Sequence, residues 1–242
     1  MLVSILAGMT LWEVVGQNSN GAFMAPLSDT VLRLRELAMT GDLLQSTASS
    51  LSLFFSGFVL SVLIGVPLGI LIARVRILRI ALESYIMVLY STPMVVLIPF
   101  ILSLMGFGFA PKVLVVFLFA VFPVLYNTIE GARSISPELI DVARVFRSSE
   151  RNLWRDVMVP YTLPYVATGM RQGIARGMVG MVAAEFFLSP SGLGQLIMVG
   201  SYNFDTAGML AAVSVVVTLG VLLMQVGRYV EVRLSAWRQV AR

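Results

Sequence analysis

Long apolar stretches, separated by short polar or turn-forming breaks, follow one another along the whole chain. A helix needs about 20 mostly apolar residues to cross the hydrocarbon core of a bilayer, and six stretches approach or exceed that length. Asparagine, glycine, proline and serine mark several breaks, as at residues 17–21, 106–111 and 189–194. The pattern predicts an all-α membrane protein, a polytopic bundle of about six transmembrane helices, with crossings at 1–16, 49–73, 84–105, 113–131, 161–188 and 207–229.

Small residues recur every four positions in two of these crossings. The second crossing carries Gly57, Ser61, Gly65, Gly69 and Ala73, and the fifth carries Gly169, Gly173 and Gly177. Small side chains at this spacing let two helix backbones approach closely, which matters in lipid because no hydrophobic drive joins helices there. We therefore predict that these faces are packing surfaces.

The segment between the first and second crossings is too polar to cross a bilayer. Charged residues interrupt its leucines at Asp29, Arg33, Arg35, Glu36 and Asp42. Four apolar residues share one helical face, namely Leu27, Val31, Leu34 and Ala38. This fits either a helix packed on the bundle or an amphipathic helix on the outer membrane surface. We predict one transmembrane domain over 1–242, with the first helix and outer segment in 1–45 and the core in 46–235.

The positions of arginine and lysine predict the orientation, because positive residues near crossings are kept on the cytoplasmic side. One set of loops and the C-terminal tail are rich in arginine, whereas the opposite loops hold only Arg33, Arg35 and Lys112. Both chain ends are therefore predicted to be cytoplasmic. Residues 1–15 have no basic region before them and no small-residue cleavage site after them, so we expect a retained first helix rather than a signal peptide.

Composition narrows the range of functions. The chain is 58% hydrophobic and 12% charged, whereas soluble chains carry about 25% charged residues. It contains neither cysteine nor histidine, which removes thiol nucleophiles, the commonest metal ligands and the commonest general base, and argues against an intramembrane enzyme. The only lysine, Lys112, follows Pro111, so no phosphate-binding G-x-x-x-x-G-K-[ST] loop exists and the chain is not itself a P-loop ATPase. No polybasic tract suggests nucleic acid.

The most informative loop lies between the fourth and fifth crossings, at residues 132–160. It is too long for a tight turn and too polar to span. Ser136 is a candidate N-cap before Pro137 at the first helical position. Apolar residues recur at helical spacing on both sides of a polar break at 148–150, namely Leu139, Val142, Ala143, Phe146, Leu153 and Val157. We predict a helix, a turn and a second helix docked under the membrane.

The order of motifs in the chain resembles that of binding-protein-dependent ABC importer permeases. In that family the cytoplasmic loop carries Glu-Ala-Ala, a glycine four residues after the last alanine, and an apolar-proline ending, which match Asp141-Val142-Ala143-Arg144 and Val157-Met158-Val159-Pro160 here. Further matching pieces are Gly57-Phe58, Gly65-Val66-Pro67-Leu68-Gly69, Ser91-Thr92-Pro93, Pro99, Phe122-Pro123, Asn127-Thr128, Gly131, Leu163-Pro164, Gly169-Met170-Arg171, Ala184-Glu185 and Gly192-Leu193-Gly194. The resemblance covers about residues 44–237 and is closest to the alkanesulfonate, taurine and nitrate branch of the type I permeases with the MetI-like fold.

The resemblance implies a permease subunit of the bacterial inner membrane that works by alternating access. It implies three protein partners: a second permease subunit, a substrate-binding protein outside the membrane, and an ABC ATPase dimer that holds ATP and Mg. No cofactor is expected on this chain. The residues implied to contact the ATPase are Glu138, Asp141, Ala143, Arg144, Arg147, Ser148 and Ser149. The implied substrate is a small organic or inorganic anion, sulfonate-like or nitrate-like, with heterocyclic vitamin precursors as the next candidate.

Arg147 departs from the family pattern because it stands at the turn glycine. If that position needs a positive φ, arginine costs about 1 kcal/mol or more relative to glycine. Three outcomes are open: the turn is remodelled, the docking differs, or this chain pairs with a second, non-identical permease. A homodimer is the default for the family.

The fifth crossing carries ionisable residues, and the third carries a helix-breaking proline. Charges within a crossing cost several kcal/mol unless they face protein or water. Arg171 is near the cytoplasmic entry, where snorkelling is a sufficient explanation. Arg176 fits either attraction of an anionic substrate or a buried ion pair, and Glu185 fits either a structural hydrogen bond or a gate. Pro93 is expected to kink the third crossing. The candidates for the translocation pathway or its gate are therefore Pro93, Arg176 and Glu185.

A second class of function is an ion-coupled secondary transporter, which needs no ATPase partner. Such proteins usually show internal repeats with ionisable groups near the middle of the bilayer. No convincing repeat is visible in this chain, so the permease interpretation is preferred.

Overall fold

The computed structural model describes residues 2–19 and 24–239, and only the backbone of Leu2, Arg144 and residues 236–239. Across these ranges every regular element is helical, as the hydropathy pattern predicts. The α-helices in chain order are α1 Leu2–Asn18, α2 Leu27–Thr40, α3 Asp42–Arg74, α4 Arg76–Ser91, α5 Ile98–Met105, α6 Phe109–Arg133, α7 Pro137–Val145, α8 Glu150–Leu153, α9 Val159–Phe187, α10 Gly192–Tyr202 and α11 Thr206–Gln239. A 3₁₀ turn at Met94–Leu97 precedes α5, and a π-helical turn at Trp154–Met158 joins α8 to α9.

Three of these helices, α3, α6 and α11, are long and apolar enough to cross a membrane unaided. Two bent pairs each supply one further crossing if the pair spans as a unit. One pair is α4 with residues 94–105, bent by 93°, and the other is residues 150–187 with α10, bent by 53°. Helix α1 has 17 residues. The helical membrane bundle is therefore confirmed, while the count of six crossings stays a prediction.

Helix α6 lies at the centre of the bundle and packs against α3 and α9. The small residues predicted to be packing surfaces face it. A Cβ atom at Gly57 would lie 2.5 Å from Cβ of Val116, and one at Gly173 would lie 3.2 Å from the carbonyl oxygen of Ala120. Helix backbones come this close only where side chains are small, so the prediction of close packing is confirmed.

The third crossing is broken rather than kinked. Helix α4 ends at Ser91, and Pro93 has φ −64° and ψ 98°, outside the helical region. Proline has no N–H to continue the helix, and its ring disfavours helical geometry in the preceding residue, here Thr92. The break directs residues 94–105 almost perpendicular to α4 and leaves an opening beside the bend.

Helix α2 packs on α3 and α11. Its buried residue is Thr30, whereas Val31 is 54% exposed, so the face that meets the bundle differs from the apolar face predicted from sequence. Arg33 bonds Asp205 at the start of α11 over 3.1 Å. A hydrogen bond to Glu36 and the charge of Asp205 raise the pKa of Arg33. Of the two interpretations of this segment, the structure favours a helix fixed to the bundle.

Candidate functional site

A cleft of about 540 Å³ opens where the broken third crossing faces α9. The bend supplies one wall, with Tyr90 through Val95, and α9 supplies the other, with Ala175, Arg176 and Val179. Pro93 and Arg176, predicted separately as pathway residues, therefore line one cavity. A groove of about 700 Å³ between α9 and α11 is larger, but none of the predicted pathway residues lines it.

Arg176 is an exposed cation held against Tyr90. Its guanidinium carbon lies 4.5 Å from the centroid of the Tyr90 ring, and its Nη1 donates to the Tyr90 carbonyl oxygen over 3.3 Å. No acidic residue is among the described residues that line the cleft, and no ion pair to Arg176 forms within them. The alternative of a buried structural ion pair is therefore not what this structure contains. The protein leaves a positive charge facing the cleft.

Amide and aromatic side chains extend this surface one helical turn along α9. Gln172 accepts a hydrogen bond from Asn127 of α6 over 3.2 Å and lies 3.5 Å from the Tyr90 hydroxyl. The rings of Tyr90 and Tyr126 stack, with centroids 5.5 Å apart. These four residues were not among those predicted from sequence. Two amides within apolar crossings are a usable signal, because polar side chains there are costly and usually functional.

Glu185 lies outside the cleft. It is fully buried, its Oε1 accepts from the Ser50 hydroxyl over 2.6 Å, and its Oε2 accepts from the Gly194 N–H over 2.8 Å. Two roles were predicted for Glu185, a structural hydrogen bond and a gate, and the structure contains the hydrogen bonds. Of the three predicted pathway residues, only Pro93 and Arg176 line the cleft.

Arg171 has a partner that was not predicted from sequence. Its Nε donates to Oε2 of Glu231 on α11 over 2.6 Å, and the other oxygen of Glu231 accepts from the Thr168 hydroxyl over 2.6 Å. Snorkelling alone is thus the wrong explanation for this arginine. The ion pair joins α9 to α11 near the arginine-rich end of the bundle, which is the end where α3 and α6 finish and α9 begins.

At the arginine-rich end, α7 stops in a defined left-handed turn. The Phe146 N–H bonds the Val142 carbonyl over 3.1 Å, and the Ser148 N–H reaches back to the Ala143 carbonyl over 3.0 Å. Between them Arg147 has φ +53°. This is a Schellman turn, which usually places glycine at the left-handed position. The turn is therefore not remodelled, and Arg147 adopts the conformation that favours glycine.

The second half of the loop merges into the fifth crossing. The Ser149 hydroxyl accepts from the Asn152 N–H over 3.3 Å and caps α8, after which residues 150–187 run on without interruption. Arg74, at the end of α3, bonds Glu150 over 3.4 Å and lies 5.3 Å above the Trp154 ring. The predicted helix, turn and helix are confirmed, and the second helix is the beginning of α9.

Helix α7 presents apolar side chains to its surroundings. Val145 is 80% exposed, Phe146 is 81% exposed, and Leu139 and Val142 are partly exposed beside them; we call these four residues the α7 patch. The residues implied to contact the ATPase surround it: Glu138, Asp141, Arg147 and Ser149 are exposed, Ala143 and Ser148 are half-buried, and the side chain of Arg144 lies outside the described residues. An exposed apolar patch rimmed by polar residues is typical of a protein interface.

Comparison with known proteins gives consistent matches. The sequence model of a family described as "Binding-protein-dependent transport system inner membrane component" matches residues 65–236. The riboflavin transport system permease protein RibX of Chloroflexus aurantiacus is 31% identical over 97% of this chain and 88% of its own. The putative aliphatic sulfonates transport permease protein SsuC of Bacillus subtilis is 29% identical over 95% of this chain and 84% of its own. A chain of the inward-facing MetNI methionine ABC transporter shares the fold, with a TM-score of 0.69 and 18% identity over 81% of this chain and 98% of that one.

Proposed function

Since this chain belongs to the family of binding-protein-dependent transport system inner membrane components, we propose that it forms half of a substrate pathway that a separate ATPase opens and closes. The chain is an ABC importer permease subunit and not an enzyme. Two finer properties of such a subunit are its coupling to the ATPase and the class of substrate that it passes.

One observation carries the coupling proposal: residues 150–187 form one continuous helix, which includes the π-helical turn at Trp154–Met158 and joins the α7 turn to the cleft. At about 1.5 Å per residue, this helix places Arg176 about 39 Å from Glu150. A displacement of α7 therefore moves one wall of the cleft, while the wall at Pro93 belongs to a different helix. Rigid-body movement of this kind is a common way to alternate access between two sides.

The α7 patch is the surface that we assign to the ATPase. A short helix with exposed apolar residues fits a groove on a partner, which is a common mode of recognition. ATP and Mg belong to the ATPase dimer. The extracytoplasmic binding protein and a second permease subunit complete the complex. Because Arg147 supports the expected turn, its presence gives no reason to invoke a non-identical permease, and a homodimer is proposed.

We assign a small organic or inorganic anion as the substrate. The support is the charge balance of the cleft, where Arg176 faces no carboxylate among the described lining residues. The relatives' names cover both sulfonates and riboflavin. The stacked pair Tyr90 and Tyr126 also suits a flat heterocycle, which keeps a vitamin precursor as the second candidate.

Uptake into proteoliposomes tests the function as a whole. The chain is reconstituted with the ATPase that copurifies with it and with the binding protein, and labelled anions are offered on the outer side. We expect uptake to require both ATP and the binding protein. Uptake driven by an ion gradient without the ATPase would overturn the proposal in favour of an ion-coupled secondary transporter.

Arg176→Gln is expected to lower kcat/KM for an anionic substrate about 10- to 100-fold, because a charge-assisted hydrogen bond contributes about 1.5–3 kcal/mol. Arg35→Gln, which removes the same charge from exposed helix α2, is the matched control and should leave uptake unchanged. The measurement is the initial rate of uptake as a function of substrate concentration. Equal uptake by the Arg176 and Arg35 variants would contradict the anion assignment.

Arg147→Gly is expected to preserve or improve the coupling of ATP hydrolysis to transport. Glycine relieves a left-handed residue at φ +53°, a gain of about 1 kcal/mol for the turn. Arg151→Gly is the control, since it removes the same charge from ordinary helical geometry, where glycine costs about 1 kcal/mol instead of relieving strain. The readouts are binding-protein-stimulated ATP hydrolysis and uptake. A complete loss of coupled transport in Arg147→Gly would show that the arginine side chain itself is required.

A further inference from the structure

The chain turns sharply after α9, and the turn has the composition of a hinge. Leu188, Ser189, Pro190 and Ser191 join α9 to α10 at an angle of 53°. A short loop with proline between two helices would ordinarily let α10 move independently of α9. The polar contacts around this turn argue against such freedom.

The first backbone donors of α10 are bonded by side chains from two other helices. The Leu193 N–H donates to the Ser50 hydroxyl of α3 over 2.9 Å, and the Gly194 N–H donates to Glu185 of α9 over 2.8 Å. The Ser50 hydroxyl in turn donates to Glu185 over 2.6 Å. We call Ser50, Glu185 and the first turn of α10 the outer clamp. It links three helices through one buried carboxylate.

Ser191 shows that the clamp does more than cap a helix. Serine at this position normally accepts a bond from the first turn of its own helix, but Ser191 makes no such bond. Its hydroxyl instead accepts from Nζ of Lys112 on α6 over 2.8 Å. A local cap would have satisfied α10 without burying charged residues. The arrangement replaces it with attachments to α3, α6 and α9.

Two of the three glycines of α10, Gly192 and Gly194, lie directly against the clamp. Gly192 has φ +59°, and a Cβ atom there would collide with the Glu185 carboxylate and the Ser50 hydroxyl. A Cβ atom at Gly194 would lie 2.5 Å from Cβ of Glu185. Among the described residues no buried side-chain nitrogen or oxygen lacks a partner, so the clamp is fully satisfied.

We infer that Glu185 is a positioning residue that makes α10 move as one body with α9 and α3. A movement that starts at α7 then also moves the end of α10 at Tyr202. Asp205, three residues later, pairs with Arg33 and so links this end of α10 to α2 at the outer surface. The mechanical role rests on the proposed transport cycle, but the rigidity of the clamp does not.

The chain contains no cysteine, so two spin labels can be placed at Ser56→Cys on α3 and Val199→Cys on α10, both exposed positions. Distances between them are measured by electron spin resonance in nanodiscs, for the chain alone and for the complex with its ATPase, nucleotide-free and vanadate-trapped. We expect one narrow distribution that is the same in all three. Glu185→Gln and Ser50→Ala should replace it with a broad one. Ser61→Ala should not, because the hydroxyl of this buried serine of α3 donates to the Phe58 carbonyl within the same helix.

The functional readout separates positioning from stability. Glu185→Gln is expected to lose stimulation of ATP hydrolysis by the binding protein while the basal rate and the copurification of the ATPase remain. A narrow distribution in Glu185→Gln, or a shift between nucleotide states in the parent, would overturn the inference. If no ATPase partner assembles, the proposed function fails, and the nanodisc distances of the chain alone still decide whether the clamp exists.

Discussion

Phe146→Ala is expected to weaken binding of the ATPase subunit about 30-fold, and coupled uptake should fall with it. Phe146 is 81% exposed next to Val145, which is 80% exposed, so the ring and the neighbouring methyl groups are free to enter a groove. Aromatic residues at the centre of an interface typically cost about 2 kcal/mol or more when truncated, which corresponds to about 30-fold in affinity. The measurement is a titration of the ATPase onto the permease in nanodiscs.

Phe107→Ala is the matched control for this experiment. Phe107 is 73% exposed, but it follows Gly106 in the loop before α6, at the end of the bundle opposite α7. The control should bind the ATPase like the parent protein. Equal affinity of Phe146→Ala and the parent would place the ATPase contact outside the α7 patch and remove the basis of the coupling proposal.

Gly57→Leu is expected to abolish accumulation of folded protein. A Cβ atom at Gly57 would lie 2.5 Å from Cβ of Val116 and 3.0 Å from the backbone nitrogen of Phe117. Overpacking of a core costs about 1–3 kcal/mol when side chains can adjust. Here α3 and α6 must separate along their length, so the loss of folding stability should be larger than this range. The measurements are yield in the membrane fraction and thermal unfolding in detergent.

Gly8→Leu provides the control, because nothing lies within 4 Å of a Cβ atom at that position of α1. This variant should accumulate and unfold like the parent. A Gly57 variant as stable as the Gly8 variant would mean that α3 and α6 tolerate a wider separation than their small residues suggest.

The parts of the fold that could be predicted from sequence are those encoded locally. Apolar runs identified the helices, and four-residue spacing of small residues identified the faces that meet α6. The glycine position of the loop motif raised a left-handed conformation of Arg147 as one of the open alternatives, and the structure has it. Each of these signals lies within one segment of chain. No knowledge of neighbouring helices was needed to interpret them.

The parts that could not be predicted depend on neighbours distant in sequence. Arg171 finds Glu231 on a helix 60 residues later, and helical geometry within one crossing gives no information on that distance. Glu185 could be recognised as costly to bury, but its partner Ser50 is 135 residues earlier. Tyr90 was not predicted as a site residue, because aromatic residues are common in membrane crossings. Its role depends on the break at Pro93, which leaves its carbonyl free to accept from Arg176.

That break also bears on the proposal that the cleft passes an anion. Tyr90 is in the last turn of α4, whose unpaired carbonyl groups carry the negative end of the helix dipole, equivalent to about half an elementary charge. Arg176 donates to one of these carbonyls, so its charge is partly neutralised without a carboxylate. An unpaired arginine would bind an anion tightly, and an arginine paired with a carboxylate would bind it hardly at all. Under the proposed function, the partly neutralised Arg176 would bind an anion weakly enough to release it.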